Sequence, residues 1–446
     1  MIRVFFYSRL ILICLRRQKL FNLKTIAIIL FVLMYILMIT LPKRRHIVAL
    51  STAAVFVILG ILPLNEVFGA IDWNVLMMIF GTMVIVDYFI ESKMPNRIAE
   101  MLLDLAPNVM WVTILMSLFS GFISAFIDNV ATVLMVAPVG LAICKKLKIS
   151  PVPMIICIAV SSNLQGAATL VGDTTSIMLA AAAKMDFNDF FWMEGHPGIF
   201  FAVELGAIAT VPIMMFMFRK DKEPVSSDER TTVTDYVPTI MMLGHVVLLI
   251  AASFIPEKPD ITNGVICMVC GIINIVWEIF LSKGTDSMWH SLKAIDYDTM
   301  LLLGGLFCVI AGITKVGIID DLANFIASAG KGNVFLLYTV IVFGSVAISA
   351  FIDNIPYVAT MLPVLASLSS VMNVSPLLLY FGLLIGATLG GNLTPIGASA
   401  NIAGVGMLRK EGYEVTFRDF MKIGVPFTMT AVCVGYLFIW LVYAGA

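Results

Sequence analysis

The chain has 446 residues, 60% of them hydrophobic and 13% charged, with a mean hydropathy of +1.00. A soluble domain carries about 25% charged residues, so a water-soluble fold is excluded. Lysine plus arginine (28) nearly balance aspartate plus glutamate (29), and the net charge of −1 offers no electrostatic footprint for nucleic acid.

The chain opens with a leader, residues 1–24, whose apolar run Val4–Leu15 is interrupted by Arg9 and followed by Arg-Arg-Gln-Lys. Lacking a small-residue cleavage site, it reads as an amphipathic or partly inserted segment rather than a signal peptide. Apolar spans suited to a hydrocarbon core about 30 Å thick follow. They lie near 25–41, 47–65, 74–91, 111–143, 153–184 and 196–218. The charged stretch 219–236 reads as a linker between halves. Spans resume near 237–255, 261–281, 298–314, 333–372, 375–408 and 422–444. The Cys267-x-x-Cys270 pair sits in apolar Gly-Val-Ile-Cys-Met-Val-Cys-Gly without further ligands, so buried thiols are expected rather than a metal site.

Four spans are anomalous. Those at 111–143 and 333–372 carry Asp-Asn at their middles, and those at 153–184 and 375–408 are broken by glycine-rich polar runs. The anomalies are copies of one another. Ser-Ala-Phe-Ile-Asp-Asn occurs at Ser124–Asn129 and again at Ser349–Asn354, 225 residues apart. At the same offset Pro138 matches Pro363, while Gly166, Thr169 and Gly172 match Gly391, Thr394 and Gly397. Phe-Asn-Asp-Phe (187–190) then matches Phe-Arg-Asp-Phe (417–420) at 230. Two repeats are therefore expected, 25–218 and 237–446, each with a re-entrant hairpin (111–143, 333–372) and a broken helix (153–184, 375–408).

Orientation follows from lysine and arginine in the short loops. The basic loops 43–46, 145–148, 219–236 and 409–422 are expected in the cytoplasm, and the acidic 63–72 loop outside. The two hairpins then enter from opposite faces, so the repeats are inverted. The expected fold is an all-α polytopic membrane protein.

Inverted halves with interrupted helices at matching positions are the pattern of secondary transporters. Broken helix ends offer free N–H groups to an anion and free C=O groups to a cation. Asn163, Thr169, Thr174, Asn392, Thr394, Ser399 and Asn401 add neutral groups beside Gly166, Gly172, Pro395 and Gly397. Oxygen-rich sites without sulfur suit a hard cation or an oxyanion. Asp128, Asp173 and Asp353 are the ionisable members, and an acid at membrane depth marks an ion or proton path. A Na+ site is expected near Asp128 and Asp353, with Asn129 and Asn354 beside them; the bland alternative is that each acid caps a helix. Na+ or H+ is the expected coupling ion, and no cofactor is implied.

In these motifs the chain resembles the ion transporter superfamily, in the branch of arsenite permeases, NhaD-type sodium/proton antiporters, the melanosomal P protein and citrate-type carriers. The resemblance covers roughly 25–446 and implies a scaffold and a transport domain moving like an elevator, a homodimer, and a place in the cell membrane. The chain departs from the family's Pro-Pro-Asn after the first Gly-Asp, carrying Thr174, Thr175 and Ser176 there, whereas Asn401 keeps the matching position in the second copy.

The leading expectation is an ion-coupled carrier of a small anion or oxyanion. A cation/proton antiporter or an arsenite permease is the rival, because no arginine stands in either motif to clamp a carboxylate. An intramembrane aspartyl protease would need Gly-x-Gly-Asp, and here Leu-Val-Gly-Asp (170–173) lacks the first glycine. Lipid and a small ion are the expected partners.

Overall fold

The computed structural model describes residues 23–225, 231–282 and 286–445. All but the last two residues of the leader lie outside them.

In chain order the first helices are α1 (Leu23–Thr40), α2 (Arg45–Ile58), α3 (Val67–Ala70), α4 (Trp73–Glu91), α5 (Met94–Leu103) and α6 (Val109–Ser124). There follow α7 (Asn129–Leu147), α8 (Val152–Gln165), α9 (Thr174–Ala183), α10 (Ile199–Met217), α11 (Val237–Ala252), α12 (Thr262–Ser282) and α13 (Asp286–Ala294). The last are α14 (Tyr297–Lys315), α15 (Ile318–Ala329), α16 (Val334–Ser349), α17 (Asn354–Met372), α18 (Pro376–Gly390), α19 (Ser399–Lys410) and α20 (Phe417–Tyr443). Nine helices among the described residues are long and apolar enough to cross a membrane. The chain is a multi-pass, mainly helical membrane protein.

Local sequence explains the ends. α2 stops early in the span expected to reach 65, because Gly60 adopts φ +72 and turns the amides of Ile61 and Leu62 back onto the Phe56 carbonyl. Asn108 caps α6 on the Trp111 amide and Asn333 caps α16 on the Leu336 amide, another pair 225 residues apart. The all-α architecture holds, with one small addition among the described residues. Strands β1 (Trp192–Met193) and β2 (His196–Pro197) form a small antiparallel hairpin. Glu194 and Gly195 both have positive φ at its turn, as a tight hairpin with right-handed twist requires. Phe-Asn-Asp-Phe therefore ends in a 3-10 turn before the Gly-His-Pro-Gly break, whereas Phe-Arg-Asp-Phe opens the long helix α20.

The contacts divide into two units, each drawn from both halves of the sequence. One holds the described residues up to Asp72, with Asp296–Gly332 and Pro363–Asn373. Inside it α2 packs on α14, where Gly305 and Gly312 admit the backbone of Ala49 and the ring of Phe56. Lys24 pairs with Asp321 and Lys315 with Glu66, each at 2.5 Å.

The second unit holds Trp73–Ile295, Asn333–Leu362 and Val374–Ala446. In it α4 packs on α12, α6 on α8, α16 on α18 and α10 on α20. Stacked Tyr338 and Tyr436, with centroids 4.9 Å apart, tie α16 to α20. The linker runs back over the base of α6, where the carbonyls of Asp221 and Glu223 accept from the Met110 and Val109 amides. These first-turn amides have no partner within their own helix. Cys267 and Cys270 are buried free thiols. His245 is fully buried within α11.

The α4–α12 crossing rests on one missing side chain. A Cβ on Gly81 would sit 2.2 Å from the Cys267 carbonyl carbon, whereas one on Gly244 would meet nothing within 4 Å. Gly81→Ala is expected to cost about 1–3 kcal/mol by forcing the helices apart, and Gly244→Ala to be neutral or slightly stabilising. Thermal unfolding of the two purified variants in detergent checks this.

Candidate functional site

Each hairpin tip is a four-residue link between helices, Ala125–Asp128 between α6 and α7 and Ala350–Asp353 between α16 and α17. The acid closing each link folds back on the helix it precedes. Asp128 Oδ1 accepts from the Val130 and Ala131 amides at 3.0 and 3.3 Å. Asp353 Oδ1 accepts from the Ile355 amide at 3.2 Å, and its Oδ2 accepts from the Ser399 hydroxyl at 3.1 Å. Both acids therefore do act as helix caps. Their charges meet the positive helix ends, which favour an anion.

The breaks lie between α8 and α9 and between α18 and α19, and each is stitched to its own hairpin tip by the same atoms. The Thr169 hydroxyl donates to the Ala125 carbonyl, and the Thr394 hydroxyl to the Ala350 carbonyl. A Cβ on Gly172 would lie 2.7 Å from the Ser124 carbonyl oxygen, and one on Gly397 2.8 Å from that of Ser349. Glycine is needed here for the hairpin to seat against the break.

Ser176 and Asn401 show what the departure after Gly-Asp does. The Ser176 hydroxyl donates to the Gly166 carbonyl at 3.2 Å, and Asn401 Nδ2 donates to the Gly391 carbonyl at 3.1 Å. The tie is kept in both copies. Asn401 Nδ2 also reaches the Thr394 carbonyl and Asn392 Oδ1, while Asn401 Oδ1, fully buried, has no partner among the described residues.

A chain of side-chain bonds then joins the copies. Asn129 Nδ2 donates to Asn163 Oδ1 at 2.9 Å, and Asn163 Nδ2 donates to the Thr388 carbonyl at 2.6 Å and Asn392 Oδ1 at 3.1 Å. Asn392 Nδ2 returns to the Val160 carbonyl at 2.8 Å. On the other side Asn354 Nδ2 donates to Asp173 Oδ2 at 3.3 Å, and so does the Thr175 hydroxyl at 3.0 Å. Having spent its proton there, the Thr175 oxygen accepts from the Thr388 hydroxyl at 3.1 Å. Both hairpin tips thus meet at Thr388 through buried groups. Asp173 precedes α9 but makes no capping bond to it, and Asp128 and Asp353 both lie within electrostatic reach of it.

Of the residues expected to form the site, Asp128, Asn129, Asn163, Asp173, Asp353, Asn354, Asn392, Ser399 and Asn401 enter these contacts. Thr169, Gly172, Thr394 and Gly397 bind the breaks to the tips, and Gly166 accepts from Ser176 within its own break. Thr174 and Pro395 are buried there and make no side-chain hydrogen bond among the described residues. Thr388 is the residue sequence reading missed. Its signal was the register itself, since 388 is the match of Asn163 at 225.

The family model described as citrate transporter matches residues 35–386. The chain belongs to the citrate transporter family. An uncharacterized transporter of Mycobacterium bovis is 31% identical over 431 residues, covering 94% of this chain and 98% of its own. The human P protein is 24% identical over 474 residues, covering 88% of this chain and 56% of its own. Among solved structures, the YdaH transporter of Alcanivorax borkumensis superposes with a TM-score of 0.60 at 13% identity, over 84% of this chain and 87% of its own. MtrF of Neisseria gonorrhoeae gives 0.55 at 16% identity, over 94% and 95%. These two likenesses concern the fold. This family member is a membrane transporter.

The spare acceptor of Asn401 can be removed without breaking the stitch. Asn401→Ser, which copies Ser176, is expected to keep stability within about 1 kcal/mol. Asn401→Leu leaves buried acceptors unpaired and is expected to cost about 1–3 kcal/mol. Unfolding temperatures of the purified variants distinguish the two.

Proposed function

We propose that the chain is a secondary active transporter that moves a small anion or oxyanion with Na+ or H+ as coupling ion. The observation that carries this is buried Asp173, within reach of Asp128 and Asp353 and ion-paired with no lysine or arginine among the described residues. Three carboxylates in a medium of low dielectric repel one another strongly, and a cation or proton relieves that repulsion. The donor set fits a hard cation, being made of carboxylate, amide, hydroxyl and carbonyl oxygens, with Asn401 Oδ1 left over as a buried acceptor. Asp128 and Asp353 would hold Na+ together with these oxygens.

An anionic substrate meets net negative charge unless the coupling cation is already bound. Cation first, anion second is therefore the order the electrostatics favour, and it makes the ion obligatory. Neither motif contains arginine, so a multiply charged carboxylate such as citrate would lean on bound cations for its neutralisation. The same absence favours a second reading, a cation/proton antiporter or an arsenite permease, in which the acids carry the transported ion or the substrate is neutral.

The mechanical part of the proposal is an inverted pair of repeats in the cell membrane, with hairpins entering from opposite faces, the 219–236 linker in the cytoplasm, and an elevator-like motion in a homodimer. Support comes from the 225-residue register, now extended to the caps Asn108 and Asn333, and from the basic loops.

Proteoliposome flux with sodium, proton and anion gradients varied separately tests the two readings. Stimulation of anion uptake by a cation gradient supports the first; cation exchange without anion uptake supports the second. Asparagine caps a helix about as well as aspartate, so Asp128→Asn and Asp353→Asn separate charge from capping. Each is expected to keep near-normal expression and stability while reducing ion-coupled flux at least about tenfold, equivalent to about 1.4 kcal/mol. Wild-type ion dependence in both would reduce the acids to caps.

A further inference from the structure

The register that pairs the motifs also shows where the two copies part company at the surface. α7 ends in Lys145 and Lys146, and α19 ends in Arg409 and Lys410. Their matches at the 225 offset, α17 and α9, carry no base in their last turns. Lys145, Lys146 and Lys148 face Ser370, Val371 and Asn373 in register, and Lys410 faces Met185. A base in a last turn favours the negative end of the helix dipole. The other copy closes the same two helices without one, so the fold alone does not account for these charges.

The two basic ends lie side by side. Lys145 Nζ meets Glu411 Oε2 at 2.5 Å, joining the loop after α7 to the loop after α19. Gly412, with φ +85, turns the chain toward α20, whose first turns add Arg418 and Lys422. Residues 145–148 and 409–422 hold seven bases and three acids. Two of those acids are spent, Glu411 on Lys145 and Asp419 on Lys422. Lys146, Lys148, Arg409, Lys410 and Arg418 are exposed and form no ion pair among the described residues.

The height of this patch follows from the apolar residues beside it. On α7, exposed Leu134, Pro138 and Ala142 climb in i, i+4 steps to Lys145 and Lys146. On α20, exposed Phe417 and Met421 alternate with Arg418 and Lys422. Both helices are long and apolar enough to cross a membrane, so these apolar rows face hydrocarbon. The bases at their ends then stand at headgroup height, where their stems lie along apolar surface and their charges reach outward.

We propose that this basic face is a binding surface for the phosphate headgroups of anionic phospholipids. Charge and position select the occupant: unpaired cations from two loops, held together at the edge of the hydrocarbon, meet a plane of phosphates. Both loops are among those expected in the cytoplasm, where the facing leaflet is the anionic one. α7 closes the first hairpin and α19 the second broken helix, so the contact falls on the elements that carry the candidate site. Headgroup binding here requires nothing of the coupling ion, and its failure would leave the transport proposal untouched.

The test uses the purified full chain in neutral detergent with equal amounts of phosphatidylglycerol and phosphatidylcholine. After gel filtration, the extracted lipid is quantified by mass spectrometry. The wild type is expected to retain phosphatidylglycerol in excess. Arg409→Gln/Lys410→Gln and Lys146→Gln/Lys148→Gln should each lower the phosphatidylglycerol ratio at least about tenfold, since each base near an anionic surface is worth about fivefold. Lys93→Gln/Lys331→Gln removes the same charge from two other exposed helix ends and should leave the ratio within about twofold, because exposed charges beyond a Debye length are screened. Phosphatidylcholine retention, unchanged throughout, shows that each variant is folded.

No excess of phosphatidylglycerol on the wild type overturns the assignment, and so does an equal loss in the Lys93→Gln/Lys331→Gln control, which would reduce the effect to net charge. Inorganic phosphate raising the unfolding temperature as much as phosphatidylglycerol does would give the face to free phosphate instead. An unfolding temperature that falls equally in both lipids, with retention unchanged, would leave the bases serving only their helix C-termini.

Discussion

A backbone amide or carbonyl in hydrocarbon without a partner costs several kcal/mol, and no water is there to supply one. This fold depends on how that constraint is met at its two broken helices. Each break leaves helix ends buried inside the protein, and each is closed by the tip of a hairpin pressed onto it. The contact is made by a threonine hydroxyl on a tip carbonyl, a glycine that lets two backbones meet, and a small polar side chain that returns to the carbonyl at the start of the break. Because hairpin and break satisfy one another, neither is stable in this form alone. The two must move as one body or pay the cost of opening.

That interdependence explains which positions the two copies share. Ser124 and Ser349, Thr169 and Thr394, and Gly172 and Gly397 all serve the stitch, so they are free to vary in neither copy. Among the residues that differ, Asp173 (against Ala398), Asn392 (against Ala167), and Asn163 and Thr388 (against each other) bond from one half of the sequence to the other. Two identical amides placed there would meet like against like. Asn163 and Thr388 avoid this, since the amide of one donates to the backbone of the other.

Much of this was legible in the sequence because a repeat converts one observation into two. Composition gave a membrane protein, and the 225 offset gave the paired anomalies and most of the polar residues now found together. What stayed hidden depended on geometry across the copies. Nothing in the sequence pointed to the bond between Asp173 and Asn354 of the other half. Thr388 sat unnoticed in an apolar run, since a lone threonine in a membrane helix usually satisfies itself on its own backbone. What the glycines admit stayed hidden as well, because sequence shows that a side chain is missing, and only structure shows what occupies its place. The β-hairpin at Trp192–Pro197 was too short for any periodicity to announce it.

The three acids are not equivalent, and their local structure says how they divide the work. Asp128 and Asp353 stand at helix N-termini, with backbone N–H groups turned toward them. Their charge is compensated by a fixed dipole that does not depend on any ligand. Asp173 makes no capping bond to α9, and among the described residues its carboxylate accepts from the Asn354 amide and the Thr175 hydroxyl. Side chains can turn away from a carboxylate when its charge is cancelled, whereas a helix terminus cannot. The two capped acids therefore keep their compensation whatever stands beside them. The surroundings of the third are side chains that can turn, and they reach it from both halves of the sequence.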